Sequence, residues 1–198
     1  MLLVIAVAVA LLVRTFILQS FWIPSGSMEN TLQLDDYVLA NKVIYDFRDP
    51  ERGEIVVFKA PSGWGSMDGD EDFIKRVIAV GGDTVSYDAD EGKISVNGEP
   101  IDETSYLYTD PQTGEMQSPS KDDEEFEVVV PEGRLWVMGD HRWASGDSRE
   151  RYVRTGDPTE STVPVDEVVG KAFVLVWPAD RWDWMTIPDT FDDVPEPE

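Results

Sequence analysis

The chain opens on an unbroken apolar run, Met1 to Val13 (MLLVIAVAVALLV), with none of the polar face that an amphipathic helix shows. After Arg14 and Thr15 the apolar pattern resumes with Phe16, Ile17 and Leu18. About 20 residues at roughly 1.5 Å rise cross a bilayer core of about 30 Å, so residues 1–20 are read as one transmembrane helix. Arg14 costs up to about 3 kcal/mol at mid-bilayer and less near an end, where it snorkels. Trp22 then falls at the interface. A cleavable signal peptide would set a basic segment before the run and a small-residue site after it. Here no basic segment precedes the run, and Ala6-Val7-Ala8 lies inside it.

From residue 35 onward the period is two. Tyr37-Val38-Leu39, Ile55 to Phe58, Phe73 to Val80, Lys93 to Val96, Glu127 to Val130, Leu135 to Met138 and Ala172 to Trp177 read as short strands. Turn clusters such as Pro61-Ser62-Gly63 and Gly81-Gly82-Asp83 separate them. No amphipathic helix of ordinary length is visible after the anchor. The fold class expected is all-β, preceded by one transmembrane helix. Residues 86–130 are more polar and acidic, with the charge run Lys121 to Glu125, and read as a variable β insertion. It would divide a catalytic β core into residues 21–85 and 131–188, leaving 189–198 as a loose acidic tail.

Composition narrows the chemistry. Of 198 residues, 40 are acidic and 16 basic, a formal charge of −24, which repels nucleic acid and reads as a solvated surface. There is no cysteine, so thiolate metal sites, disulfides and cysteine nucleophiles are excluded. With a single histidine, His141, a histidine-rich metal site cannot be built. A hydrolase made from this chain therefore draws its general base from elsewhere or from that one residue.

Three segments can carry chemistry. Ile23-Pro24-Ser25-Gly26-Ser27-Met28 holds two hydroxyls on a tight turn, since proline fixes φ and glycine frees it. Such a tripeptide alone is usually only a turn. In Phe73 to Val80, alternation puts Phe73, Lys75, Val77 and Ala79 on one face. A lysine on such a strand either snorkels from an exposed face or loses water among its apolar neighbours; in the second case its pKa falls toward neutrality and the neutral amine can take a proton from a serine hydroxyl. Lys42 and Lys59 also have apolar neighbours, so pattern alone does not select Lys75. Val137 to Arg149 packs carboxylates, arginines and hydroxyls behind an apolar strand, as a hydrogen-bonded loop or as the support of a catalytic amine.

Taken together, these segments resemble the boxes of the type I signal peptidases. The serine box, PSxSMxPTL in that family, stands here as PSGSMENTL from Pro24 to Leu32. The lysine box appears as Lys75-Arg76-Val77, running on to the turn Gly82-Asp83. The last box, close to GDNRxxSxDSR, is matched by GDHRWASGDSR from Gly139 to Arg149. Asn30, Gly81 and His141 depart from the family's proline, proline and asparagine.

The resemblance implies a mostly antiparallel β domain with an inserted variable subdomain, using Ser27 as nucleophile and Lys75 as general base. It also implies that the Ser27 N–H and the Ser25 hydroxyl form the oxyanion hole, and that Ser145 hydrogen-bonds and orients the Lys75 amine. Asp147 and Arg149 would form an ion pair, Met28 would pack under the nucleophile, and Arg76 and Asp140 would support the site. It implies no metal or cofactor. The implied substrates are secretory preproteins with small residues at the first and third positions before the cut. The implied location is the cell membrane, single-pass, with the β domain outside the cytoplasm and Phe21, Trp22, Met28, Trp177, Trp182 and Trp184 available to rest in the lipid bilayer. Two rivals remain: a related self-cleaving repressor, which would need a DNA-binding region, and an anchored, non-catalytic β binding module. The enzyme reading requires Ser27 Oγ and Lys75 Nζ to lie within hydrogen-bond reach.

Overall fold

The computed structural model describes Ile5, residues 17–64 and residues 71–197. Most of the expected anchor lies outside these. Among the described residues no helix is long and apolar enough to cross a membrane. Leu18–Trp22, partly counted as anchor, is instead the first strand, β1. It pairs antiparallel with β2, Tyr37–Asn41. An apolar run does not announce where helix stops and strand begins, because both bury the same residue types.

The remaining strands are β3 (Ile55–Lys59), β4 (Asp72–Val80), β5 (Thr84–Asp88), β6 (Lys93–Val96), β7 (Glu99–Pro100), β8 (Phe126–Val129), β9 (Arg134–Met138), β10 (Val163–Pro164), β11 (Val168–Trp177) and β12 (Asp183–Trp184). Among the described residues they form two sheets. The larger runs β1-β2-β11-β3-β4-β9-β10 with β12 on β11, and the smaller runs β7-β6-β5-β8. Every strand pairing is antiparallel. From residue 17 on, the described residues are thus mostly β, with one α-helix.

That helix, α1 (Ser148–Thr155), was not expected. Its sequence, SRERYVRT, is too polar and short to show an apolar stripe. Its ends are nonetheless written locally: Asp147 caps the N-terminus, accepting from the Glu150 N–H, and Gly156 closes it at φ 66°.

The two sheets share one core. Ile78 and Ala79 of β4, Val85 and Tyr87 of β5, and Trp136 and Met138 of β9 are buried in a single cluster. A β-bulge between Val77 and Ala79 breaks the alternation of β4. As a result Val77 packs with Val56 and Phe58, while Ala79 joins Ile78 in the shared core. Ala79 therefore does not continue the face of Phe73 and Val77.

The tail is not loose either. Phe191 and Val194 are buried in the same core, and the Pro195 carbonyl accepts from Asn97 Nδ2 at 2.8 Å. Of the aromatics expected to rest in the bilayer, Trp22, Trp177, Trp182 and Trp184 are more than half exposed. Phe21 packs against the core that buries Met28, which takes Met28 out of any membrane-facing surface.

Candidate active site

The serine segment leaves β1 and turns at once. Ile23 is pinned on both sides, donating to the Asp36 carbonyl at 2.9 Å and accepting from the Asp35 N–H at 3.0 Å. Pro24 and Ser25 remain extended and exposed, and Gly26–Met28 close a single 3-10 turn. Met28 is fully buried in the core beneath, which fixes the turn and leaves Ser27 only 5% exposed.

Lys75 arrives from the facing strand. In the β3–β4 register it sits opposite Val56, and its neighbour Arg76 sits opposite Ile55. Its Nζ lies 2.7 Å from Ser27 Oγ and 2.9 Å from the Ile74 carbonyl. Burial pushes the ammonium down to about 8, against the opposing pull of the Asp147 and Asp140 carboxylates. The pair opens into a cleft of about 500 Å³, whose walls include Pro24, Ser25, Phe73, Ile74 and Gly146. Such a site can hold a neutral amine against a hydroxyl near neutral pH.

Behind the pair, Arg76 and Asp140 form a buried two-pronged salt bridge, Nε to Oδ1 at 2.9 Å and Nη2 to Oδ2 at 2.7 Å. Arg76 also donates to the Gly53 carbonyl at 3.0 Å and stacks over Tyr106 at 4.2 Å. Asp147 accepts from the Gly139 N–H at 3.1 Å, with Arg149 Nε 3.5 Å from its other oxygen. The Ser25 hydroxyl lies at the exposed rim of the cleft.

Ser145 departs from expectation. Its hydroxyl is buried but makes no hydrogen bond, to Lys75 or to any other group. The Lys75 amine has turned to Ser27 and the Ile74 carbonyl instead, and the Ser145 side chain packs over Gly139. His141 does not form a serine–histidine pair. Its Nδ1 lies 2.8 Å from Glu29 Oε2, and its ring stacks on Tyr108 at 3.9 Å. Only the His141 backbone N–H reaches Ser27, donating to its carbonyl at 3.1 Å.

Gly139 has no room for a side chain, because a Cβ there would meet the Ser27 carbonyl and Ser145 Oγ far inside van der Waals contact. The backbone partner cannot yield without moving Ser27. Gly139→Ala is therefore expected to lower cleavage by about 10²-fold, the usual cost of a displacement of about 1 Å. Wild-type turnover would show that Ser27 is not seated on Gly139.

Sequence reasoning missed Glu103, Tyr106 and Tyr108. They come from the acidic stretch yet sit behind the site: Glu103 pairs with the buried Arg142, Tyr106 lies under Arg76 and Tyr108 faces His141. No local pattern marks them, since each contact spans 30 residues or more.

A family model described as "Signal peptidase, peptidase S26" matches residues 1–177. A "Probable signal peptidase I" of Mycobacterium leprae is 37% identical over 219 residues, covering 90% of this chain and 75% of the relative. The "Signal peptidase I" of Mycobacterium tuberculosis is 39% identical over 215 residues, covering 90% and 71%. A "Probable signal peptidase I-2" of Synechocystis is 37% identical over 183 residues, covering 92% and 74%. On that match and those relatives the chain belongs to the S26 signal peptidase family and is a serine endopeptidase.

Proposed function

We propose that this chain is a membrane-anchored peptidase that removes signal peptides through a Ser27–Lys75 dyad. The observation that carries this reading is the 2.7 Å approach of a buried lysine amine to a buried serine hydroxyl at the floor of an open cleft. Ser27 Oγ attacks the scissile carbonyl while its proton passes to neutral Lys75 Nζ. The oxyanion that forms is met by the Ser27 N–H and the Ser25 hydroxyl. Collapse breaks the C–N bond, and the Lys75 ammonium returns the proton to the departing amine of the mature chain. Water, deprotonated by the same amine, then releases the signal peptide from Ser27.

Arg76, Asp140, Asp147 and Arg149 hold the two reacting segments from behind, and Met28 supports the serine turn. The Pro24, Phe73 and Ile74 walls leave space for small side chains before the cut, which supports Ala-X-Ala sites. The apolar run ahead of β1 supplies the anchor. Across β1, β2 and β11 the register aligns Trp22 with Tyr37 and Tyr37 with Trp177, all exposed, which suits an aromatic belt at the bilayer surface. That arrangement supports a cleft lying beside the membrane from which a preprotein emerges; the extracytoplasmic side follows from the family resemblance.

The reading is tested by the pH dependence of cleavage of a preprotein with an Ala-X-Ala site, in detergent. Below about pH 8 the amine carries a proton and cannot accept another. The rate is expected to rise about tenfold per pH unit up to that region and then level off. A flat profile from about pH 5 to 10 would rule out a lysine base.

A further inference from the structure

No step above uses the irregular stretch between β7 and β8, although it wraps the back of the site. We propose that residues 103–108 are a strap that positions the nucleophile, with Glu103 and Tyr108 as its positioning residues. The proposal rests on the Ser27–Lys75 reading.

The contacts that matter run outward from Ser27. Its carbonyl is held by the His141 N–H and abuts Gly139, so its place is set by the backbone from Gly139 to Arg142. That backbone is in turn held by the strap. The Asp140 carbonyl accepts from the Tyr108 N–H at 2.9 Å, and the His141 ring lies parallel to the Tyr108 ring, 4° apart. Arg142, with no exposed surface, receives the Glu103 carboxylate on both of its terminal nitrogens. It also donates to the Pro119 carbonyl at 2.8 Å and, through Nε, to the Gly139 carbonyl at 2.9 Å.

The strap reaches the dyad from two further sides. Asn30, three residues after Ser27, donates to the Leu107 carbonyl at 3.2 Å. Tyr106 lies under Arg76, the neighbour of Lys75. Glu103 and Tyr108 hold the backbone on which Ser27 sits, while Leu107 and Tyr106 of the same strap hold Asn30 and Arg76 beside the dyad.

Stability alone does not call for this arrangement. A buried ion pair is often replaceable by apolar residues of similar volume at no loss. What methionine cannot do is what the planar guanidinium does here, binding a carboxylate and two carbonyls in fixed directions at once.

The test uses the full chain in detergent with an Ala-X-Ala preprotein. Glu103→Gln leaves the Arg142 cation without its partner and lowers both melting temperature and turnover. The double variant Glu103→Leu/Arg142→Met removes both halves of the pair. It is expected to regain most of the melting temperature while kcat per folded enzyme stays about 10²-fold low and KM changes less than about twofold. Tyr108→Ala leaves no buried charge and is expected to lower kcat by about tenfold, again at constant KM. Recovery of kcat together with melting temperature in the double variant, or a wild-type kcat in Tyr108→Ala, would overturn the strap. Ser27→Ala is run beside them: if it still cuts, the dyad reading itself has failed, a result distinct from either outcome.

Discussion

Lys75→Ala is expected to lower kcat for preprotein cleavage by roughly 10⁴–10⁶-fold, Ser27→Ala by about as much, and the double variant by no more than either alone. The two groups act as a unit. Without the amine, the Ser27 hydroxyl has no acceptor for its proton; without the hydroxyl, the amine has nothing to activate. Stability should move the other way. Holding Lys75 in a buried pocket drops its pKa from 10.5 to about 8, so the native state disfavours the charged form that the unfolded chain prefers.

Between about pH 8 and 10.5 the unfolded chain carries the extra proton, and stability rises with pH. Below about pH 8 the full penalty applies, on the order of 3 kcal/mol. Lys75→Met fills the same space without a charge and is expected to melt higher than wild type at pH 7, with the gap closing as pH approaches about 10.5. Denaturant unfolding at several pH values measures that gap. A Lys75→Met protein less stable than wild type at pH 7 would show that the amine is not strained, and a Lys75→Ala protein cutting at near wild-type rate that it is not needed.

The candidate pair was legible through the three boxes taken together; two hydroxyls beside Pro24 and Gly26 and a lysine inside an apolar strand do not by themselves separate Lys75 from Lys42 or Lys59. Strands such as Lys93–Val96, expected and found with the same bounds, were legible because alternation is a local signal. What could not be seen depends on contacts between distant segments. The end of the apolar run hid β1, since only pairing with Tyr37–Asn41 makes Leu18–Trp22 a strand. The bulge at Val77/Ala79 is a property of how β4 meets β9, and no alternation within β4 foretells it. Phe191 and Val194 look like part of an acidic tail until the shared core is assembled around them. Glu103 is one acid among 40 in the sequence, and only the fold distinguishes it by burying it against Arg142. The cap and stop of α1 are a different case: Asp147 and Gly156 mark its ends locally, but with no apolar stripe between them the segment carries no helical period to read.

Asp140→Asn is expected to give one of the largest losses of stability of any single substitution near the site. The change keeps the shape of the side chain and removes only its charge, leaving the Arg76 guanidinium buried without a counterion. Arg76 is 2% exposed and Asp140 1%, so water does not reach in to compensate. Breaking such a pair costs about 3–5 kcal/mol. For a chain of this size that corresponds to a melting temperature lower by roughly 6–20 °C. Removing both charges, as in Arg76→Met/Asp140→Leu, should recover most of the loss, because the penalty belongs to the uncompensated cation and not to the absence of the bridge. Catalysis carries a second, separable signature. The Asp140 carboxylate pulls the Lys75 pKa upward, against burial. Without that charge the amine sheds its proton more readily, and the acid limb of the rate profile should move to lower pH in Asp140→Asn. Thermal melts and pH–rate profiles on the same preparation read both effects. A melting temperature within a degree or two of wild type would mean that the pair is solvated in solution. An unmoved acid limb would mean that the Asp140 charge is not felt at Lys75.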